Sequence, residues 1–375
     1  MHKKTISFMV VVLAVVALSW VSFNSLAPLT KLNVVAFVVK KWARWHPSKP
    51  SSFLDESKLE AKLAQGLPHW AQAQISQDLA TFKTIKIADL KKYYQQENSK
   101  NNRLVYFSVR DEWVQTTLED PEILQFASYK AMLNVFKFLA SHHYIPNTDF
   151  ILSFQDVPRL KSKIPLPIFA FAKDVSIPIE KDLILMPDWM NLRHWTELRP
   201  RIQYAIKLFP WEKKINQVFW RGGNADSTGF RHQLVSLSQQ YPQLIDAQIT
   251  QHDVNPQGFT TPEAHLLYRY QITIDGARCA WERLLWQLHS NCLVFKHASS
   301  QEQWFYKGIA PNVHYISVRD EKALLQAIQQ AEASPQKTQA IIQNAQKFAE
   351  ENLEIEDMYL YLAILVQHYS ERLVF

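Results

Sequence analysis

Three short stretches of this chain combine residue types and spacings suited to group transfer. Asp156 follows an apolar run at 150–154 and stands just before Pro158. A carboxylate at such a strand end is either a general base, if a cleft opens above it, or an ordinary turn residue. Trp220-Arg221-Gly222-Gly223 leaves a second apolar run, crosses a glycine loop ending at Gly229 and enters a helix carrying Arg231. Backbone N–H groups of such a loop can approach an anion while arginines add fork-shaped donors. A structural turn, with Arg221 serving the strand end, is the plain alternative. The spacing matches neither the P-loop nor the GxGxxG fingerprint.

The third stretch, Asp275-Gly276-Ala277-Arg278-Cys279-Ala280 with Arg283, reads as a strand-to-helix junction. Ala277, Ala280, Leu284 and Leu288 would form the buried stripe of a helix over 277–288. Its start would offer free N–H groups and the positive end of the dipole to a diphosphate; an ordinary helix capped by Asp275 is the alternative. No Asp-x-Asp pair occurs in the sequence, so the usual metal–diphosphate clamp is missing and neither metal nor another cofactor is expected. His142-His143 has no partner at metal-ligand spacing, and two cysteines, Cys279 and Cys292, supply neither a disulfide framework nor a zinc site by themselves.

Positioning these residues calls for strands that end where the chemistry begins. Apolar runs at 104–107, 150–154, 183–186, 217–220, 271–274, 293–295 and 314–317 alternate with helical patterns at 123–139, 277–288, 321–331, 338–352 and 355–370. That alternation indicates an α/β protein with mostly parallel sheets, whose ligands sit beyond the carboxyl ends of the strands. Ser-Val-Arg-Asp-Glu occurs at 108–112 and again at 317–321, either as a trace of two similar halves or by coincidence.

The net charge is confined to one end. The chain has 375 residues with Lys+Arg 41 and Asp+Glu 35, yet its first fifty hold seven of the cations and no acid, so the rest is near neutral. A nucleic-acid-binding body is disfavoured, because the phosphate-neutralising charge would have to sit on the folded part. Residues 6–23 carry no charge and come near the minimum for a bilayer span. A cleaved signal peptide competes, but Pro28 directly follows the candidate site at Ser25-Leu26-Ala27. The expectation is therefore a transmembrane anchor over 1–30, then a basic juxtamembrane segment and linker over 31–65. Lipid contacts would run through residues 6–45, where Lys40-Lys41-Trp42-Ala43-Arg44-Trp45 suits anionic headgroups. The flanking cations place the body on the cytoplasmic side.

Taken in order, several short motifs resemble glycosyltransferase family 90, which includes protein O-glucosyltransferases, capsule-associated proteins and lipopolysaccharide-modifying enzymes. They are Phe154-Gln155-Asp156-Val157-Pro158, Leu185-Met186-Pro187-Asp188-Trp189, Pro210-Trp211-Glu212-Lys213-Lys214, Trp220-Arg221-Gly222, Asp275-Gly276 with Arg283, Ser290-Asn291-Cys292-Leu293-Val294-Phe295-Lys296, Trp304-Phe305-Tyr306 and His314-Tyr315. The resemblance implies a GT-B architecture, two Rossmann-like domains facing a cleft: an acceptor-side domain over 66–205 and a nucleotide-sugar-binding domain over 206–375. It also implies a UDP-sugar co-substrate used with inversion and without metal. Asp156 falls at the catalytic base, although Gln155 precedes it where the family has arginine. Gly223 and Arg231, and Gly276 through Arg283, fall at donor-binding positions. Members that glucosylate peptide modules carry a long loop where Trp189 is here followed almost directly by Leu192-Arg193-His194-Trp195, so a glycan or glycolipid such as lipopolysaccharide is the expected acceptor. The transferred sugar is expected to be glucose or xylose. A bacterial member would work on the cytoplasmic face of the inner membrane, a eukaryotic one in the secretory lumen. A carbohydrate-binding protein that keeps the fold without catalysis is the alternative, motivated by Gln155 and Gln303.

Overall fold

The computed structural model describes residues 54–97, 102–250 and 260–374, with Val34, Val38 and Val39 besides. The expected anchor at 6–23 and the headgroup segment at 40–45 lie outside the described residues. Among the described residues no helix is long and apolar enough to cross a membrane. This corrects the expected single-pass membrane location as far as the described residues go, and the lipid contacts drawn from residues 6–45 fall almost wholly outside them.

Two five-stranded sheets carry the protein, flanked by two-stranded pairs. After the short strand β1 (Ile85–Lys86), the first sheet contains β2 (Leu104–Arg110), β3 (Trp113–Thr117), β4 (Thr148–Ser153) and β5 (Ile168–Ala170). The strand β6 (Lys173–Asp174) leaves it and β7 (Ile184–Leu185) completes it, in the order β3-β2-β4-β5-β7. Strand β2 runs antiparallel to both β3 and β4, whereas β4, β5 and β7 are parallel. All six residues of β4 are buried, as expected of a central strand covered on both faces, while edge strand β3 has no buried residue. The helix Ala127–Ser141 buries Tyr129, Met132, Val135, Phe136 and Leu139, a stripe at helical spacing. Phe136 meets Phe107 and Phe150 at ring-centroid distances of 5.2 and 4.9 Å.

The second sheet is wholly parallel: β8 (Ile215–Gly222), β9 (Ile245–Ile249), β10 (Tyr268–Thr273), β11 (Leu293–His297) and β13 (Ile316–Val318), in the order β13-β11-β10-β8-β9. In chain order its strands lie 2-1-3-4-5, so the winding reverses between β8 and β10. Helices leaving those two strands diverge there, opening the crevice in which doubly wound sheets hold ligands.

The two layers are stitched together. Strand β12 (Gln301–Glu302) pairs with β6, and β14 (Leu373–Val374) pairs with β1. The last helix, Ile355–Ser370, returns to the first layer and packs on the helix Glu56–Gln65, the long helix Trp189–Leu208 and β4. Its cap residue Glu354 also accepts from Trp195 Nε1 at 3.0 Å and Arg199 Nε at 2.7 Å, so one carboxylate both caps a helix and clamps its neighbour.

Every expected strand is present, but the first sheet is mixed where a mostly parallel one was expected. The antiparallel β2–β3 hairpin is the reason. It also shows that the repeated pentapeptide marks no repeated structure: at 108–112 it ends β2 and turns through Asp111 at φ 51°, whereas at 317–321 it leaves β13 and starts a helix capped by Asp320.

Candidate active site

The carboxyl ends of β8 and β10 bring Arg221–Gly222 and Ile274–Gly276 together at the switch point. Gly222 is demanded by its own neighbour, since an added Cβ would lie 2.4 Å from Cζ2 of the buried Trp220 ring. Arg221 is committed to β9. Its guanidinium pairs with Asp246 Oδ1 at 2.7 Å and with the Asp246 carbonyl at 3.0 Å, leaving only its own carbonyl turned to the site.

The loop after Gly223 is organised by Asp226. Its carboxylate accepts from the amides of Thr228 (3.0 Å), Gly229 (2.8 Å) and Arg231 (2.7 Å), which holds its pKa below the ordinary value despite partial burial. The amides that begin the helix Phe230–Gln240 therefore already have an anion, one the chain supplies itself. What the loop delivers is Arg231. Its guanidinium spans the crevice, donating to the carbonyls of Gly223 (2.8 Å), Ile274 (3.0 Å) and Asp275 (3.0 Å). Gly276 makes room for it, because a Cβ there would stand 3.1 Å from Arg231 Nη2.

Beyond Gly276 the expected helix does not form. The helix runs over Glu282–Leu288, and residues 277–281 are an irregular loop ending at Trp281 with φ 49°. Asp275 is the physical reason. Its carboxylate is bound by Ser299 Oγ, tying the chain into a loop in place of a first turn, and the positive-φ Trp281 backbone blocks helix propagation from before it. Asp275 is thus not a helix cap, Ala277 is exposed, and of the expected stripe Ala280 is buried within the loop while Leu284 and Leu288 are buried on the helix. Cys279 is fully buried with its thiol pKa pushed well up by burial, an inert thiol.

Arg278 and Arg283 have opposite fates. Arg278 is buried, donates from Nε to the Asp156 carbonyl at 3.1 Å and forms an ion pair with Glu180, so it ties the loop to the first layer. Arg283 donates from Nη2 to the Arg221 carbonyl at 2.6 Å, while its Nη1 is buried without a partner among the described residues. Burial, then the like charge of Arg231, lowers the Arg283 pKa to about 10. Two guanidiniums share this corner and a buried donor is left over, an arrangement whose missing complement is an anion.

Asp156 follows β4 across from this loop. Its side chain reaches solvent, yet the protein walls around it raise its pKa, with Arg103 and Arg278 opposing the shift. The segment is pinned from below by Asn102, whose side-chain oxygen accepts from the Arg159 amide at 2.6 Å.

Asp188 was not singled out as a site residue. It is fully buried, caps the helix Trp189–Leu208 through the amides of Met190 and Asn191, both at 3.0 Å, and burial pushes its pKa up to about 7. Its signal in the sequence was the Asp-Trp start of an amphipathic stretch, obscured by Pro200 within the same helix. A surface groove of about 670 Å³, lined by His143, Asn147 and Glu371 among others, lies at the opposite end of β4 and holds none of the expected residues.

Comparison with known proteins adds the following. The family model described as Glycosyl transferase family 90 matches residues 68–375. Protein O-glucosyltransferase 2 of Danio rerio is 27% identical over 319 residues, covering 80% of this chain and 62% of that protein. Protein O-glucosyltransferase 3 of Homo sapiens is 24% identical over 327 residues, with 80% and 62% covered. O-glucosyltransferase rumi of Drosophila melanogaster is 24% identical over 266 residues, with 61% of each covered. The chain thus spans about three fifths of the length of these relatives. Among solved structures, a glycosyltransferase from Rickettsia africae aligns over 55% of this chain and 64% of that one, with a TM-score of 0.34 and 10% identity.

Proposed function

The chain belongs to glycosyl transferase family 90, and from that premise we propose that it is an inverting, metal-independent glycosyltransferase that moves glucose or xylose from a UDP-sugar to a hydroxyl of a glycan such as lipopolysaccharide. The two layers are read as the halves of a GT-B enzyme, with the acceptor side over 66–205 and the nucleotide-sugar side over 206–375.

In this reading the acceptor hydroxyl oxygen bonds to the anomeric carbon from the face opposite the diphosphate. The bond from that carbon to the diphosphate oxygen breaks, UDP leaves with the electron pair, and Asp156 takes the hydroxyl proton. Its raised pKa makes it a better proton acceptor than an ordinary surface aspartate. Arg231 and Arg283 receive the negative charge that grows on UDP, the task a metal performs elsewhere. The observation that carries the proposal is the buried, unpartnered Nη1 of Arg283 beside Arg231 at the reversal of the second sheet.

The relatives are named for glucosylating protein, and a protein acceptor is the natural competitor. The helix that begins at Trp189 favours a glycan. It is capped directly by Asp188 and runs unbroken through Trp195, so no insertion stands where peptide-modifying members carry their loop.

Incubation of the full chain with UDP-glucose tests the proposal by release of UDP with and without a glycan acceptor. Slow release alone, accelerated by acceptor and abolished in Arg283→Met, is expected. Absence of UDP binding by calorimetry would overturn it.

A further inference from the structure

Close to Asp275 lies a group of polar atoms that the reaction above does not use. Lys296 is at the end of β11, in register with Thr273 of β10, and is only 7% exposed. Its ammonium lies over the ring of Tyr306, 4.7 Å from the centroid. Among the described residues the Tyr306 hydroxyl is buried without a partner, and so is Asp275 Oδ1, although Oδ2 is held by Ser299. These three residues form one neighbourhood: Asp275 lies two residues beyond Thr273, the register partner of Lys296 on the adjacent strand, and Lys296 in turn rests on Tyr306.

An ammonium resting on an aromatic face, beside a carboxylate oxygen and a hydroxyl that are both unpartnered among the described residues, presents donor and acceptor capacity in alternation. A phosphate would be repelled by Asp275, and a purely apolar group would leave all three groups desolvated and unpaired. Adjacent hydroxyls satisfy the set, because each can accept from Lys296 or Tyr306 and donate to Asp275. The geometry points to Lys296, Tyr306 and Asp275 as the subsite that reads two neighbouring hydroxyls of a neutral sugar ring on the donor, with Lys296 the specificity-determining residue. This rests on the UDP-sugar reading and deepens it: Arg231 and Arg283 hold the diphosphate, and Lys296, Tyr306 and Asp275 read the ring beside it.

The test compares the dissociation constants of UDP and UDP-glucose for the full chain, Lys296→Met, Lys296→Arg and Tyr306→Phe. Loss of one charge-assisted hydrogen bond is worth roughly tenfold to a hundredfold in affinity. Lys296→Met is expected to weaken UDP-glucose by that factor while UDP binds as in wild type, with Lys296→Arg recovering part of the loss and Tyr306→Phe a smaller effect of the same sign. An unchanged ratio of the two constants would overturn the subsite, as would equal weakening of both ligands. Wild-type protein that binds UDP but shows such a result leaves the donor reading standing. Failure of wild type to bind either nucleotide removes both.

Discussion

Arg278 Nε donates to the backbone carbonyl of Asp156 at 3.1 Å, joining the candidate donor loop of the second sheet to the candidate base at the end of the first. The same guanidinium is ion-paired with Glu180 in the first layer, both side chains 3% exposed. A residue read in the sequence as a donor contact is therefore a brace between the two halves of the site.

Removing that brace has a defined cost. Breaking a buried ion pair by deleting one partner leaves the other charge uncompensated, typically about 3–5 kcal/mol. Arg278→Ala and Glu180→Ala should each lower stability by about that amount in urea unfolding. The double variant should fall well short of the sum, because the two residues share one interaction. Additive losses would show that the pair is not a unit.

Asp156→Asn keeps the side chain's shape at an exposed position, so unfolding should be unchanged. Transfer should fall roughly 10²–10⁴-fold, the usual contribution of a general base. In wild type the rate should rise with pH through the Asp156 pKa, which the protein walls around the solvent-reaching side chain hold above the ordinary aspartate value. This acid limb should vanish in the variant. Near-normal transfer by Asp156→Asn would remove the residue from the mechanism.

Much of this site was legible in the sequence, and its failures have local causes. Strand ends were readable because buried parallel strands are continuous apolar runs, as in Val218, Phe219 and Trp220. The position of Arg231 followed from the glycine loop. The helix expected from Ala277 does not form because its small-residue spacing only mimics a buried stripe, whereas Asp275 spends its carboxylate on Ser299, 24 residues away. Nor could spacing reveal that Arg221 faces Asp246, or that the Thr228, Gly229 and Arg231 amides are already satisfied by Asp226. These are pairings across a crossover or a folded loop, and only the fold decides them.

Gly222 and Gly276 separate structure from function. In Gly222→Ala the new Cβ would collide with the fully buried Trp220 ring, which has nowhere to move. Overpacking of that kind costs about 1–3 kcal/mol, and a matching drop in thermal stability is expected. In Gly276→Ala the Cβ meets the end of the Arg231 side chain, which can shift by a few tenths of an ångström. Stability should change little, while UDP affinity should fall as the guanidinium is displaced. Calorimetric titration of both variants with UDP distinguishes the two effects.

Asp188 ties stability to pH. Its carboxyl is buried and titrates at about 7 in the fold, against an ordinary value near 3.8. The folded state therefore prefers the protonated acid. The stability this group contributes is fully present below about pH 4 and is lost as pH rises through about 7, a change of up to roughly 4 kcal/mol at about 1.4 kcal/mol per pK unit. Asp188→Asn should remove that dependence and raise stability at neutral pH relative to wild type. Asparagine can still accept from the Met190 and Asn191 amides as a helix cap. Its side-chain N–H can then donate to Asn191 Oδ1, which is buried without a partner, once the Asn191 amide rotates. Urea unfolding of wild type and variant at pH 4.5 and 7.5 measures the difference. If the gap between them does not widen toward pH 7.5, Asp188 is ionised in the folded protein at both values and the cap is held by charge.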